Sequence, residues 1–306
     1  MSIYSKAFFI LHKIYRMNTY QPKVSILSSS YNHIQFIDDF ISSVYNQDYK
    51  NFELIMMDDG SKDGCGERLK ELSEQYQFKA IIRENKGFPN ALNTLRPLAN
   101  GDYIVIIAAD DIMTKSRLTK QVEFLESHKH LALVACNMQE IDEHGNKGDL
   151  ISRPFKSGEL FKDLLLTTTY ILAPTVMIRT SCLDEAGEYD ENLRVEDFDM
   201  WLRLASKYEL GYMDFLAAYY RKHSGNSHGN YKTLFEQKEK VLAKYADSKL
   251  GQTALQQHFL QAFLLLAPLK AFQKLAKTYK SRVKFQCSKA YLSAHLKYYF
   301  FKKHLF

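Results

Sequence analysis

The sequence predicts an α/β fold: a mixed, mostly parallel sheet flanked by helices, with a helical appendage at the C-terminal end. Three observations predict it. Short apolar runs of strand length alternate with segments whose apolar residues recur at helical spacing. Two of those runs end in adjacent aspartates, Asp58–Asp59 and Asp110–Asp111. Beyond Asn230 the alternation gives way to helical segments rich in Lys, Gln and aromatic residues.

The elements follow in order. "KVSILSS" (23–29) is a strand, and "IQFIDDFISSVYNQ" a helix with Phe36, Ile37, Phe40, Ile41 and Val44 on its apolar face. "FELIMM" (52–57) is a second strand, running into the turn-forming "DDGSKDG". A helix from Glu67 to Gln75 turns Leu69 and Leu72 inward; "KAIIR" (79–83) is a third strand, and "FPNALNTLRPLANG" a short helix closing at Gly101. A strand over 103–109, a helix with Leu118, Val122 and Leu125 on one face, and a strand over 131–136 complete the regular part. Strands alternating with helices imply crossover connections and a Rossmann-like, mostly parallel sheet. Ligands of such sheets sit beyond the carboxyl ends of the strands, so both acid pairs are expected to face one crevice.

After Asn137 the alternation becomes irregular, with "TTTYILAPTVMIRTS" a loop and strand. "VEDFDMWLRLASK" (195–207) reads as a helix with Phe198, Trp201, Leu202 and Ala205 sharing a face. "GYMDFLAAYYRKHSGNSH" is a strand that runs out into a polar loop near Lys222. Pro268 is expected to break or kink the C-terminal helices.

Three regions result: a basic N-terminal segment (1–22), a catalytic domain (23–230) and a basic amphipathic helical region (231–306). The net charge of +6 hides an asymmetry. No acid precedes Asp38 or follows Asp247; those two ends carry four and eleven of the 41 Lys and Arg, leaving 26 bases against all 35 acids between them. Basic ends on an acidic body suggest that the ends meet an anionic surface, and the body's acids argue against nucleic acid as a partner. Four scattered cysteines with no CxxC pair indicate neither a disulfide framework nor a zinc site, consistent with a reducing cytosol. The most apolar segment, "HFLQAFLLLAPL", holds about eleven apolar or small residues, short of the roughly 20 needed to span a bilayer. "KAFFILHKIYR" has a cationic start but no small-residue cleavage site, and is not read as a signal peptide.

Acid pairs at two strand ends raise an electrostatic problem. Buried carboxylates repel one another and need a cation or donors. A single pair is as readily a helix cap or turn. Two pairs favour a hard divalent cation, Mn²⁺ or Mg²⁺, carrying the diphosphate of a nucleotide.

Six spaced stretches then resemble the family 2 glycosyltransferases, inverting enzymes with the A-type nucleotide-diphospho-sugar transferase fold, most closely the spore-coat polysaccharide type. They are "VSILSSSYNH", "NQDYKNFELIMMDDGSKDG", "ENKGFPNALN", "NGDYIVIIAADD", "VEDFDMWLRLA" and "YRKHSGNSH", within residues 22–228. The resemblance implies a nucleotide site of Ser29, Tyr31, Asp58, Asp59, Arg83 and Asp110. Tyr31 would stack on uracil, Asp59 would accept its N3–H, and Asp58 would order the loop. Arg83 would contact uracil or phosphate, against an equally weighted reading as a solvated surface residue. Asp110 would meet ribose or sugar, while Asp111 and His223 would hold the metal. Ala108 departs from the usual Asp-x-Asp-Asp pattern. Asp197 aligns with the general base, Glu196 is its rival, and Asp199 could instead lie on a solvated face. Arg221 and Ser227 would assist the diphosphate, and Trp201 would pack or flank the acceptor pocket. The absence of a "QxxRW" motif points to single addition rather than polymerisation.

The expected partners are a UDP-sugar donor and a glycan or lipid-linked glycan acceptor of bacterial surface polysaccharide synthesis, such as capsule or O-antigen. From Leu269, Lys270, Lys274, Lys277 and Lys284 form one stripe opposite Leu269, Phe272, Leu275, Ala276, Tyr279 and Val283. Such a helix (269–303) either packs on the catalytic domain or docks on anionic lipid. The location expected is cytoplasmic, with docking placing the chain on the inner membrane's cytoplasmic face. Two rival functions remain: a catalytically inactive sugar-nucleotide- or glycan-binding homologue, which Ala108 favours, and a sugar nucleotidyltransferase. The second would need a glycine-rich phosphate loop that "SSSYNH" does not supply.

Overall fold

The computed structural model describes residues 21–225 and 231–266; the expectations for the N-terminal segment, Ser227, Pro268 and the amphipathic helix at 269–303 lie outside them. The chain divides into two units, Met1–Gly229 and Asn230–Phe306.

The first unit is built on one nine-stranded sheet, with eight strands in the order β3-β2-β1-β4-β8-β6-β9-β5 and β7 added beside β6. Strand β1 (Val24–Ser30) is buried at every position, as expected of a strand covered on both faces. Its hydroxyls find partners there: Ser25 Oγ accepts the Gly101 N–H at 2.8 Å and donates to Glu53 at 2.5 Å. Helix α1 (Ile37–Tyr45) follows, and Phe36, Ile37, Phe40, Ile41 and Val44 are all buried, as their spacing predicts. Strand β2 (Phe52–Asp59) runs parallel to β1, so Asp58 lies level with Ser30. Helix α2 (Cys65–Tyr76) buries Leu69 and Leu72, and β3 (Lys79–Arg83) pairs parallel with β2. Helix α3 (Phe88–Leu95) carries Pro89 in its first turn, where a missing N–H costs nothing.

Strand β4 (Tyr103–Ile106) lies parallel to the other side of β1. The expected strand over 103–109 is thus shorter. Ile107 and Ala109 still donate to the Leu27 and Ser29 carbonyls, but the Asp111 N–H turns back to Ala108. That turn feeds β5 (Ile112–Met113), antiparallel to β9 (Glu209–Arg221). Helix α4 (Arg117–Ser127) precedes β6 (Leu131–Ile141), which outruns the expected strand because β7 (Lys147–Ile151) and β9 flank its second half. The β6–β7 turn is closed by Asp142 Oδ1, which accepts the N–H groups of His144 and Asn146. Helix α5 (Phe161–Leu165), strand β8 (Met177–Arg179), helix α6 (Thr180–Ala186) and helix α7 (Glu196–Ala205) complete the unit.

The sheet is mixed. Strands β3, β2, β1 and β4 run parallel, and antiparallel pairings belong to the other half. In the second unit, α8 (Tyr231–Ala243) and α9 (Lys249–Leu266) are joined by a 3.0 Å hydrogen bond between His258 Nε2 and the Phe235 carbonyl. No helix among the described residues is long and apolar enough to cross a membrane.

Candidate active site

The parallel half of the sheet brings the ends of β1, β2 and β4 to one edge, and both acid pairs lie there. Asp58 is buried and accepts hydrogen bonds from Ser30 Oγ (3.1 Å), Ser61 N–H (2.9 Å) and Ser61 Oγ (2.5 Å). Its carboxylate therefore ties the 60–64 loop to β1.

Asp59 faces the other way along the edge. It accepts from Arg83 Nε (2.8 Å), Lys86 N–H (3.2 Å) and Gly87 N–H (2.8 Å). Donors of this kind offset the cost of burying the charge. Arg83 is no solvated surface side chain. It also donates to Asn90 Oδ1 (2.6 Å) and Thr94 Oγ1 (3.0 Å), and its Nη2 is buried without a hydrogen-bond partner. Ser29 is buried beside this edge, whereas Tyr31, just past β1, is 47% exposed with its ring accessible for stacking.

The second acid pair splits in two. Asp111 Oδ1 accepts the Arg221 N–H at 2.9 Å, and the side chain is almost completely buried. Burial, then the neighbouring Asp110 charge, pushes its carboxyl well above the ordinary value. Asp110 faces two imidazoles instead: its Oδ2 lies 2.9 Å from His223 Nε2 and 3.9 Å from His33 Nε2. One ligand atom from each of His33, Asp110 and His223 falls within 4.8 Å of the others. Asp110 Oδ1 is buried with no hydrogen-bond partner, an arrangement a cation would relieve. Burial lowers the basicity of His33 despite the Asp110 charge, which leaves a lone pair for a ligand. The donor set thus fits a divalent ion. The geometry gathers Asp110, not Asp111, with His223, and adds His33, which sequence reasoning missed. Its only signal was its place at the end of "SSSYNH".

Arg221, expected at the diphosphate, is fully buried. Its Nε donates to the Asp110 carbonyl (2.9 Å), Nη1 to the Glu143 carbonyl (3.2 Å) and Nη2 to Asp39 (3.0 Å), and it stacks 4.7 Å from the Phe36 ring centroid. It ties the turn that carries Asp110 to Asp39 of α1 and to the carbonyl of Glu143.

Glu196 and Asp197 occupy the first turn of α7. Asp197 is half-buried, with Oδ1 accepting the Phe198 N–H at 2.7 Å. The Glu196 carboxyl is pushed up to about 8 by burial first and by the Asp197 charge second. Asp199 is not on a solvated face: it is buried and paired with Arg203 at 2.9 Å. Trp201 is buried, its indole N–H without a hydrogen-bond partner. A cleft of about 550 Å³ lies in the irregular segment, lined by residues that include Phe155, Lys156, Glu159, Asp163 and Thr168.

Residues 25–185 match the family described as Glycosyl transferase family 2. EpsE of Bacillus subtilis (strain 168) is 33% identical over 197 residues, covering 62% of this chain and 69% of EpsE. The chain spans about a third of the length of the rickettsial relatives it also matches. Among solved structures, S. aureus TarS 1-349 in complex with UDP-GlcNAc superposes with a TM-score of 0.63 at 19% identity, covering 82% of this chain and 75% of that one. The mannosyltransferase PcManGT from Pyrobaculum calidifontis, in complex with GDP-Man and Mn²⁺, gives a TM-score of 0.57 at 18% identity over 94% and 89% of the two chains. A mixed sheet flanked by helices, with its acids at one carboxyl edge, is the fold of the A-type glycosyltransferases. The chain belongs to glycosyl transferase family 2.

Proposed function

We propose that the chain transfers a sugar from a nucleoside-diphosphate sugar, a UDP-sugar, to a hydroxyl of a glycan or lipid-linked glycan during assembly of a bacterial surface polysaccharide. The observation that carries this reading is the shared edge of β2 and β4. One end offers the Asp59–Arg83 pair to a base, and the other gathers His33, Asp110 and His223 where a diphosphate would lie. The UDP-GlcNAc complex of TarS and the GDP-Man and Mn²⁺ complex of PcManGT, structures of the same fold, support such a donor.

Tyr31 stacks on the base in this reading, and Asp59 reads its edge. Asp110 and His223, with His33, are the residues that would hold a divalent ion. The ion supplies charge stabilisation to the departing diphosphate.

Transfer proceeds with inversion. The acceptor oxygen attacks the anomeric carbon as the bond to the diphosphate breaks, and the bonding pair leaves with the diphosphate. Asp197 accepts the hydroxyl proton as the new bond forms. Burial and then the Asp197 charge raise the Glu196 carboxyl, so the adjacent pair keeps one proton between them while the other carboxylate serves as base, the role Asp197 takes in this reading. NMR of the product formed from an α-linked UDP-sugar tests the reading. A β-linked product is expected; an α-linked product would overturn inversion, and no transfer from any nucleotide sugar would overturn the function.

A further inference from the structure

The cluster beneath the proposed diphosphate is chemically unlike a pair of acids. We propose that His33 is a third protein ligand, so that the chain captures a borderline transition cation of the Co²⁺–Zn²⁺ class before any nucleotide arrives, and in preference to Mg²⁺. This inference rests on the divalent-ion reading of the site and gives it a metal class and an order of binding.

The chemistry of the donors sets the class. Mg²⁺ favours oxygen ligands and is commonly held by one or two carboxylates completed by water and phosphate. Imidazole nitrogen suits the transition ions, and a site of two imidazoles and one carboxylate selects among metals by ligand type. Three protein ligands also remove the need for a nucleotide to complete the first capture.

Geometry sets the candidate ligands. Atoms bound at roughly 2.1 Å to one ion lie about 3–4 Å apart, depending on the angle between them. Asp110 Oδ2 stands 2.9 Å from His223 Nε2 and 3.9 Å from His33 Nε2. The cluster is braced before loading. The His33 carbonyl accepts the N–H groups of Phe36 (2.9 Å) and Ile37 (3.0 Å), which fixes its backbone to the start of α1. The Phe36 ring lies 4.9 Å from the His223 ring, and the two imidazoles are 5.7 Å apart edge to face.

The test uses the full chain, stripped with a chelator and titrated with CoCl₂ without nucleotide while visible absorption is followed. Saturable ligand-field bands are expected, displaced by Zn²⁺ but not by millimolar Mg²⁺. His33→Ala should weaken Co²⁺ binding at least tenfold while leaving the melting temperature of the ion-free chain within about 2 °C. Bands that form only when UDP is present, ready displacement by Mg²⁺, or a His33→Ala titration like that of the wild type would overturn the proposal. Should His33→Ala not fold, the wild-type titration alone decides between capture with and without nucleotide. UDP binding by calorimetry separates the two readings. If UDP with Mn²⁺ binds but Co²⁺ alone does not, this inference fails and the glycosyltransferase reading stands.

Discussion

Asn93 grips the backbone of Tyr189 from both sides: its amide donates to the Tyr189 carbonyl at 2.9 Å and its oxygen accepts the Tyr189 N–H at 2.8 Å. The same amide reaches Glu191 Oε1 at 3.1 Å. Helix α3, whose Asn90 and Thr94 accept hydrogen bonds from Arg83, is thereby fastened to the loop leading into Glu196 and Asp197. Asn93→Ala should cost about 1–3 kcal/mol of stability, from two or three lost hydrogen bonds. Its turnover should fall further than its UDP affinity, because the donor side stays intact while the base loop loosens. Urea denaturation with steady-state kinetics checks both effects.

Asp197→Asn should lower turnover by about 10²–10⁴-fold, the usual scale of a lost general base, with UDP binding retained. Retained binding with unchanged turnover would remove Asp197 from the chemistry.

Glu196 makes a prediction in pH. Its carboxyl lies near 8 in the folded chain against an ordinary value of 4.5, so the folded state holds a proton that the unfolded state releases. Its stabilising effect is fully present below about 4.5 and is lost as pH rises toward 8, with a slope no steeper than about 1.4 kcal/mol per pH unit. Glu196→Gln should flatten that decline. Chemical denaturation of both proteins between pH 5 and pH 9 measures the difference.

Gly60 lets the two halves of the Asp59 cradle approach. It holds φ +83°, and a Cβ there would stand 2.6 Å from the Asn85 backbone nitrogen. Gly60→Ala should push the 84–87 loop away from Asp59, destabilise the fold and weaken UDP binding. A UDP titration and a melting curve on the variant read the two effects.

Arg221 should behave as a buried tie rather than a phosphate ligand. Arg221→Ala removes a fully buried side chain and leaves two carbonyls without their donor; it should destabilise by about 2–4 kcal/mol, with little of this from the largely exposed Asp39. Arg221→Lys should recover little of this, because one ammonium cannot replace a planar fork with three bonded nitrogens.

The sequence carried most of the parallel half of the sheet. Apolar runs buried on both faces have no polar alternation to confuse them, and Phe36, Ile37, Phe40, Ile41 and Val44 all fall on the buried side of α1. Less legible was the region past Asn137, where β7 and the second half of β6 are stabilised by strand neighbours distant in sequence. The same limit applies to the site. Adjacent aspartates were visible, but which one turns toward the histidines depends on the Arg221 N–H, which claims Asp111 from the end of β9. His33 and Arg221 meet the Asp110 turn only through the fold, so neither a lone histidine nor a lone arginine announced its role.

The central claim is that Asp110 and its two histidines gather an ion that holds the nucleotide diphosphate at the sheet edge. Calorimetric titration of UDP into the chelator-stripped chain, with and without Mn²⁺, tests it most directly when repeated on Asp110→Asn. Mn²⁺ should tighten UDP binding at least tenfold in the wild type and leave it unchanged in a folded Asp110→Asn. UDP affinity indifferent to Mn²⁺ in the wild type, or equally enhanced in the variant, would contradict it.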